Sequence, residues 1–170
     1  MNSPLSRWNF LPPDQAAQEI LPCCGSHAWA HEMATHRPLS DVSTLLDTSD
    51  RIWRKLAVAD WLEAFQSHPR IGETRSHADS SVHSQQWSAQ EQTRATDSPD
   101  SVKQALAAGN RQYEEKFGRI FIICATGKSA SEILQNLQRR LNNDEATELH
   151  EAAEQQRQII QIRVKKWLTE

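Results

Sequence analysis

Apolar residues along this chain recur mostly at intervals of three and four, which lays one face of a helix against a core. Strand-like alternation is nearly absent. The pattern predicts an all-α, single-domain helical bundle of about seven to nine helices over residues 1–170. Ser26 can cap a helix from His27 to about Arg37, stopped by Pro38, and Ser40 can cap the next, which carries Val42, Leu45 and Leu46. From Asp50 to Phe65, the residues Ile52, Trp53, Leu56, Ala57, Trp61, Leu62 and Phe65 keep helical spacing and predict a deeply packed helix.

Gly72 to Ser101 turns to Ser, His, Gln, Thr and Asp, with Val82 and Trp87 its only large apolar residues, and reads as an exposed, partly helical linker or lid. Ser98 followed by Pro99 predicts an N-cap and first-turn proline. The helix they open bears Leu106, Asn110, Tyr113 and Phe117 on one face and ends at Gly118. Arg119 to Ala125 is short and continuously apolar, an extended or irregular buried segment. Ser129 and Glu132 form a capping box for a helix bearing Ile133, Leu134, Leu137 and Leu141, and Asp144 to Trp167 is a long amphipathic helix. No internal repeat and no second domain is evident.

Composition narrows the function classes. With 19 Lys+Arg against 22 Asp+Glu, no cationic surplus exists to neutralise a phosphate backbone, so nucleic acid is a poor partner. No apolar run approaches the roughly 20 residues a membrane span needs. Pro4, Asn9, Pro12 and Pro13 do not make a signal peptide, and Leu168-Thr169-Glu170 is no known address. Three cysteines, two of them adjacent (Cys23 and Cys24), do not make a paired disulfide framework. The expectation is a soluble protein of a reducing cytoplasm.

Three places can carry chemistry. In Ser67-His68-Pro69-Arg70-Ile71-Gly72, Pro69 biases His68 away from helical dihedrals and Gly72 permits a sharp turn, presenting the imidazole at a helix end. A histidine near a helix C-terminus also simply suits the dipole there, and on the residues alone that reading weighs more. Ser88, Glu91 and Gln92 could supply a carboxylate to raise the pKa of His68 and fix its tautomer, yet Ser-x-x-Glu is equally a capping box. On the last helix Leu149, Ala152, Ala153, Gln156, Ile159, Ile160, Arg163 and Trp167 share one stripe, and a guanidinium there needs an anionic partner, from the protein or from a ligand.

Cys23, Cys24, His27 and His31 suggest half of a zinc site, with His27 and His31 one turn apart, but no HExxH or CxxC accompanies them. The tract around His77 and His83 reads as solvated surface. There is no phosphate loop, nucleophile elbow or dinucleotide fingerprint.

Taken in order, several strings resemble the 2-oxo-4-hydroxy-4-carboxy-5-ureidoimidazoline (OHCU) decarboxylase family. They are Cys23-Cys24-Gly25-Ser26 with Trp29, Arg37-Pro38, and Trp61-Leu62 leading to His68-Pro69-Arg70-Ile71-Gly72. Then come Ser88, Glu91 and Gln92; Asn110, Tyr113, Lys116, Phe117 and Gly118; Arg139, Leu141, Asn142 and Glu145; and Arg163. Two departures stand out: Ala95-Thr96-Asp97 where the family often has Ala-Gly-Leu, and Val164 where Leu is commoner.

The resemblance implies an all-α fold, a homodimer, and conversion of OHCU to (S)-allantoin and carbon dioxide in urate degradation with no metal and no organic cofactor. It assigns the catalytic role to His68, with Glu91 beside it. Substrate contacts fall to Pro69, Ser88, Gln92 and Arg163, with backbone groups of Ile120, Phe121, Ile122 and Ile123. Two other readings compete: a non-catalytic helical interaction module, and a metal-dependent hydrolase using His27 and His31.

Overall fold

The computed structural model describes residues 3–73 and 81–170. In chain order the helices are α1 (Pro4–Asn9), α2 (Pro13–Ile20), a 3-10 turn (Leu21–Cys23), α3 (His27–Thr35), α4 (Val42–Lys55), α5 (Val58–Gln66), α6 (Val82–Glu91), α7 (Thr93–Thr96), α8 (Asp100–Phe117), α9 (Ala130–Arg140) and α10 (Glu145–Trp167). The described residues contain no strand, so the all-α expectation is met. They hold ten α-helices rather than seven to nine, the extra ones being short (α1, α7) or made by a helix break. The chain divides into two compact units, Met1–Ala64 with Arg157–Glu170, and Phe65–Gln156.

The first unit packs around Trp8, Trp29 and Trp53 with Ile20, Met33 and Leu45, all essentially buried. Ser26 caps α3 as predicted, accepting the Trp29 N–H at 3.2 Å. The cap of α4 is not Ser40 but Asp41, whose Oδ1 accepts the Thr44 N–H at 2.8 Å while Ser40 donates to Oδ2 at 2.9 Å. A carboxylate is the stronger acceptor, and these donors hold the Asp41 carboxyl below its usual range, the Thr44 N–H first.

The predicted Asp50–Phe65 helix is two helices. Leu56 is extended (φ −64°, ψ 151°) and α5 restarts at Val58. The Trp61 indole N–H donates to the Trp53 carbonyl at 2.9 Å, satisfying backbone that the break exposes.

In the second unit Leu106, Tyr113 and Phe117 of α8 meet Phe121, Ile123, Ile133 and Leu137 in one cluster. The cap expected of Ser98 is absent: Pro99 is the N-cap residue, in an extended conformation, and Ser98 Oγ is buried without a partner among the described residues. Ser98 lies one position too early to reach the first helical N–H groups. Gly118 ends α8 in the left-handed region (φ 69°), and the capping box at Ser129 and Glu132 closes both of its bonds. The described part of the polar tract is partly helical and mostly exposed, as its composition predicts, but Ser84, Trp87, Ser88 and Glu91 of α6 are buried; residues 74–80 of it lie outside the described residues.

Candidate active site

Helix α5 stops at Gln66, and the next turn places His68, whose N–H bonds the Phe65 carbonyl at 3.2 Å. Its side chain is 6% exposed, so it is a buried imidazole at a helix end. The partner at Nε2 is the carboxamide Oε1 of Gln156, 2.7 Å away on a helix 88 positions further along. A carboxamide oxygen only accepts, so Nε2 donates.

The following residues form one wall of a cavity of about 610 Å³. Bonds that hold them include the Gly72 N–H to Gln92 Oε1 at 3.0 Å, Asn110 Nδ2 to the Ile71 carbonyl at 3.2 Å, and two from the Arg70 guanidinium to Glu114, Nε to Oε1 at 2.5 Å and Nη2 to Oε2 at 3.2 Å. Gly72 has φ 88°, a conformation a side chain would strain. Pro69, Ser88 and Gln92 line the cavity, with Leu106 and Asn110 of α8 opposite and the cationic Lys103 and Arg111 on that helix.

Ser88 and Glu91 do not form a capping box. Both lie inside α6, which begins at Ser81, where the serine Oγ accepts the Ser84 N–H at 3.1 Å. Glu91 is buried at the helix end, and its charge reaches Cys124: burial pushes that thiol up, and the Glu91 carboxylate adds to the push. The segment Arg119 to Ala125 is irregular and mostly buried, as its pattern predicts. Within it the Ile122 carbonyl accepts Arg140 Nη1 at 2.8 Å, the Cys124 N–H donates to Gln155 Oε1 at 2.9 Å, and the Arg140 guanidinium stacks 4.4 Å from the Phe121 ring centre. Phe121 and Ile123 contribute side chains to the core, and Ile120 is half-buried.

Arg140 itself is anchored by Glu148, Nε to Oε1 at 2.9 Å, with both side chains essentially buried. The Tyr113 hydroxyl donates to the same carboxylate at 2.6 Å and Asn143 at 3.0 Å. Burial first, then the Glu148 carboxylate, pushes the Tyr113 phenol up.

Arg163 belongs to the first unit, fully buried, with Nη1 3.4 Å from the Pro22 carbonyl. Burial pushes the neighbouring Cys23 and Cys24 thiols up, and the guanidinium offsets only part of that. His27 pairs with Glu63 (Nδ1 to Oε1 3.3 Å) on an exposed face, and His83 stacks on Trp87 with ring centres 5.6 Å apart. His77 lies outside the described residues. Among the described residues no three His, Cys, Asp or Glu side chains are grouped to hold a metal.

Gln156, Arg140 and Glu148 are among the polar residues of this region that the sequence alone does not single out, with Lys103, Arg111 and Glu114 at the cavity. A signal existed for Gln156: it interrupts the same apolar stripe as Arg163.

Fold and site define an all-α protein with a buried histidine beside a ligand-sized cavity. The family model described as OHCU decarboxylase matches residues 9–165, and the chain belongs to that family. It is 38% identical over 144 residues to the uric acid degradation bifunctional protein TTL of Arabidopsis thaliana, which covers 85% of this chain and 44% of that protein. The chain therefore spans less than half the length of that relative. It is 25% identical over 137 residues to the 2-oxo-4-hydroxy-4-carboxy-5-ureidoimidazoline decarboxylase of Haloferax volcanii, covering 80% of this chain and 79% of that one. The crystal structure of an OHCU decarboxylase in the presence of (S)-allantoin superposes with a TM-score of 0.77 at 37% identity, covering 89% of this chain and 98% of that one.

Proposed function

We propose that residues 1–170 act as one OHCU decarboxylase domain, a carbon–carbon lyase that converts OHCU to (S)-allantoin and carbon dioxide in urate degradation. The observation that carries this reading is family membership over residues 9–165, supported by a buried His68 that directly precedes Pro69, a residue lining the same cavity as Ser88 and Gln92.

The reaction needs no external electron sink. When the bond to the carboxylate breaks, its electron pair moves into the adjacent carbon–carbon link as the ring imine takes up the displaced pair and a proton. The enol left behind loses its hydroxyl proton to become a carbonyl, and the neighbouring ring carbon gains a proton on one face. His68 handles the hydroxyl proton and assists delivery to that face, with Glu91 supporting the charged imidazole. Ser88, Gln92, Pro69, Arg163 and backbone groups of Ile120 to Ile123 hold the ring and its ureido arm. Arginine suits this task because its planar fork matches a carboxylate or urea edge. Burial favours the step, since it disperses a carboxylate charge.

The cytoplasmic location rests on the cysteine pattern, and a homodimer rests on the family resemblance. No helix among the described residues is long and apolar enough to cross a membrane. The test is turnover of freshly prepared OHCU in the presence of a chelator by wild type, His68→Asn and Glu91→Gln. Loss of all enzyme-dependent rate in His68→Asn supports the scheme; full turnover in that variant sinks it.

A further inference from the structure

We propose that Asn110 is a specificity-determining residue of the cavity: its carboxamide oxygen accepts an N–H of the substrate's ureido arm. This rests on the OHCU reading given above.

One peptide unit fixes the orientation of two carboxamides. The Ile71 carbonyl and the Gly72 N–H belong to the same peptide; the first accepts from Asn110 Nδ2 at 3.2 Å and the second donates to Gln92 Oε1 at 3.0 Å. A carbonyl only accepts and an N–H only donates, so neither carboxamide can be turned round without losing its bond. Asn110 is left with an oxygen to offer and Gln92 with an NH2, and neither of these groups has a hydrogen-bond partner among the described residues. Both side chains line the cavity of about 610 Å³. One acceptor and one donor suit a planar group that carries both N–H and C=O, as a ureido arm does. A carboxylate, with no N–H, would meet a repelling oxygen at Asn110.

The setting of Asn110 points the same way. It shares the α8 face of Leu106, Tyr113 and Phe117, all buried in the core, and is itself only 7% exposed. A polar side chain on an apolar stripe costs desolvation unless its groups are paired, and the Ile71 bond pairs one end alone. A ligand N–H pairs the other. His68 does not line this cavity, so the group held at Asn110 is the arm rather than the carbon at which bonds change.

The test reads binding without turnover, by NMR titration with (S)-allantoin and with hydantoin, which keeps the ring but lacks the ureido arm. Wild type is expected to prefer allantoin. Asn110→Leu, whose melting temperature checks its fold, is expected to lose about tenfold of that preference. Asn110→Asp drops the Ile71 bond but keeps an acceptor, so both ligands should weaken together and the preference should remain; this variant carries the test if Asn110→Leu does not fold. A role limited to holding the Ile71–Gly72 peptide would weaken both ligands equally, and an unchanged preference in Asn110→Leu would overturn the proposal. Loss of the preference in Asn110→Asp would do the same, as would a wild type that does not tell the two ligands apart. Turnover of OHCU by wild type is measured in parallel. No decarboxylation with the binding pattern intact defeats the functional reading alone, and decarboxylation with an unchanged Asn110→Leu preference defeats this inference alone.

Discussion

Replacing Glu148 with Ala should be among the most damaging single changes in the second unit. The side chain is 0% exposed and its partner Arg140 is 1% exposed, so removing the carboxylate leaves a buried guanidinium without the carboxylate that pairs with it. Breaking a buried pair in this way costs about 3–5 kcal/mol. Tyr113 and Asn143 lose an acceptor at the same time, adding about 1 kcal/mol each if nothing rearranges. A total of about 5–7 kcal/mol is comparable to the whole stability of a marginal domain, about 5–15 kcal/mol. Glu148→Gln, which keeps an acceptor oxygen, should cost clearly less. The triple variant Arg140→Met, Glu148→Leu, Tyr113→Phe removes charge and hydroxyl together. It should cost only about 1–2 kcal/mol, mainly for the Ile122 carbonyl that loses its donor. Urea unfolding followed by far-ultraviolet circular dichroism measures all three. A Glu148→Ala cost below about 1 kcal/mol, or a triple variant as unstable as the single one, would refute the reasoning.

Two further outcomes follow from packing and titration. Burial raises the Cys23 and Cys24 thiols in the folded protein, so the unfolded chain releases their protons first. Their contribution to stability is intact below the ordinary thiol pKa of about 8.5 and falls as pH rises above it, by up to about 1.4 kcal/mol per pH unit for each thiol. Urea midpoints from pH 7 to 10 should fall less in a Cys23→Ala, Cys24→Ala variant than in wild type; parallel curves would contradict this. At Gly109 an added Cβ would sit 2.6 Å from Leu137 Cδ2 in the core. An overpacking cost of about 1–3 kcal/mol should offset the roughly 1 kcal/mol helix preference for alanine. Gly109→Ala is therefore expected to lower the melting temperature, and a rise in a calorimetric scan would count against the close α8–α9 approach.

What could be read from the chain tracks how local each signal is. The Ser26 cap, the capping box at Ser129 and the stop at Gly118 are bonds or dihedrals within a few residues, and they stand as predicted. The break at Leu56 is invisible to periodicity because Trp53, Leu56, Trp61 and Phe65 keep helical spacing across it, with no glycine or proline to mark it. Across it the Trp61 indole bonds the Trp53 carbonyl, an interaction that spacing does not report. Helix α6 misleads in another way: Ser84, Ser88 and Glu91 are buried on the face of Trp87, where polar residues leave no apolar stripe to read. A buried polar face is what a cavity wall requires, so the sequence rule fails where the candidate site lies. His68 was legible from its Pro69 and Gly72 neighbours. Gln156 was legible only as a polar break in an apolar stripe, and its pairing with a ring 88 positions away was not, because only the fold brings the two together.

The central claim is that this chain decarboxylates OHCU with His68 moving the proton, and product handedness tests it most directly. OHCU decays spontaneously to racemic allantoin, so loss of substrate alone is ambiguous. Circular dichroism of allantoin formed from freshly generated OHCU, with wild type and His68→Asn side by side and no metal added, separates the two. The account predicts a growing signal of the (S) enantiomer with wild type and none with the variant. Racemic product from both would contradict it and favour a non-catalytic helical module.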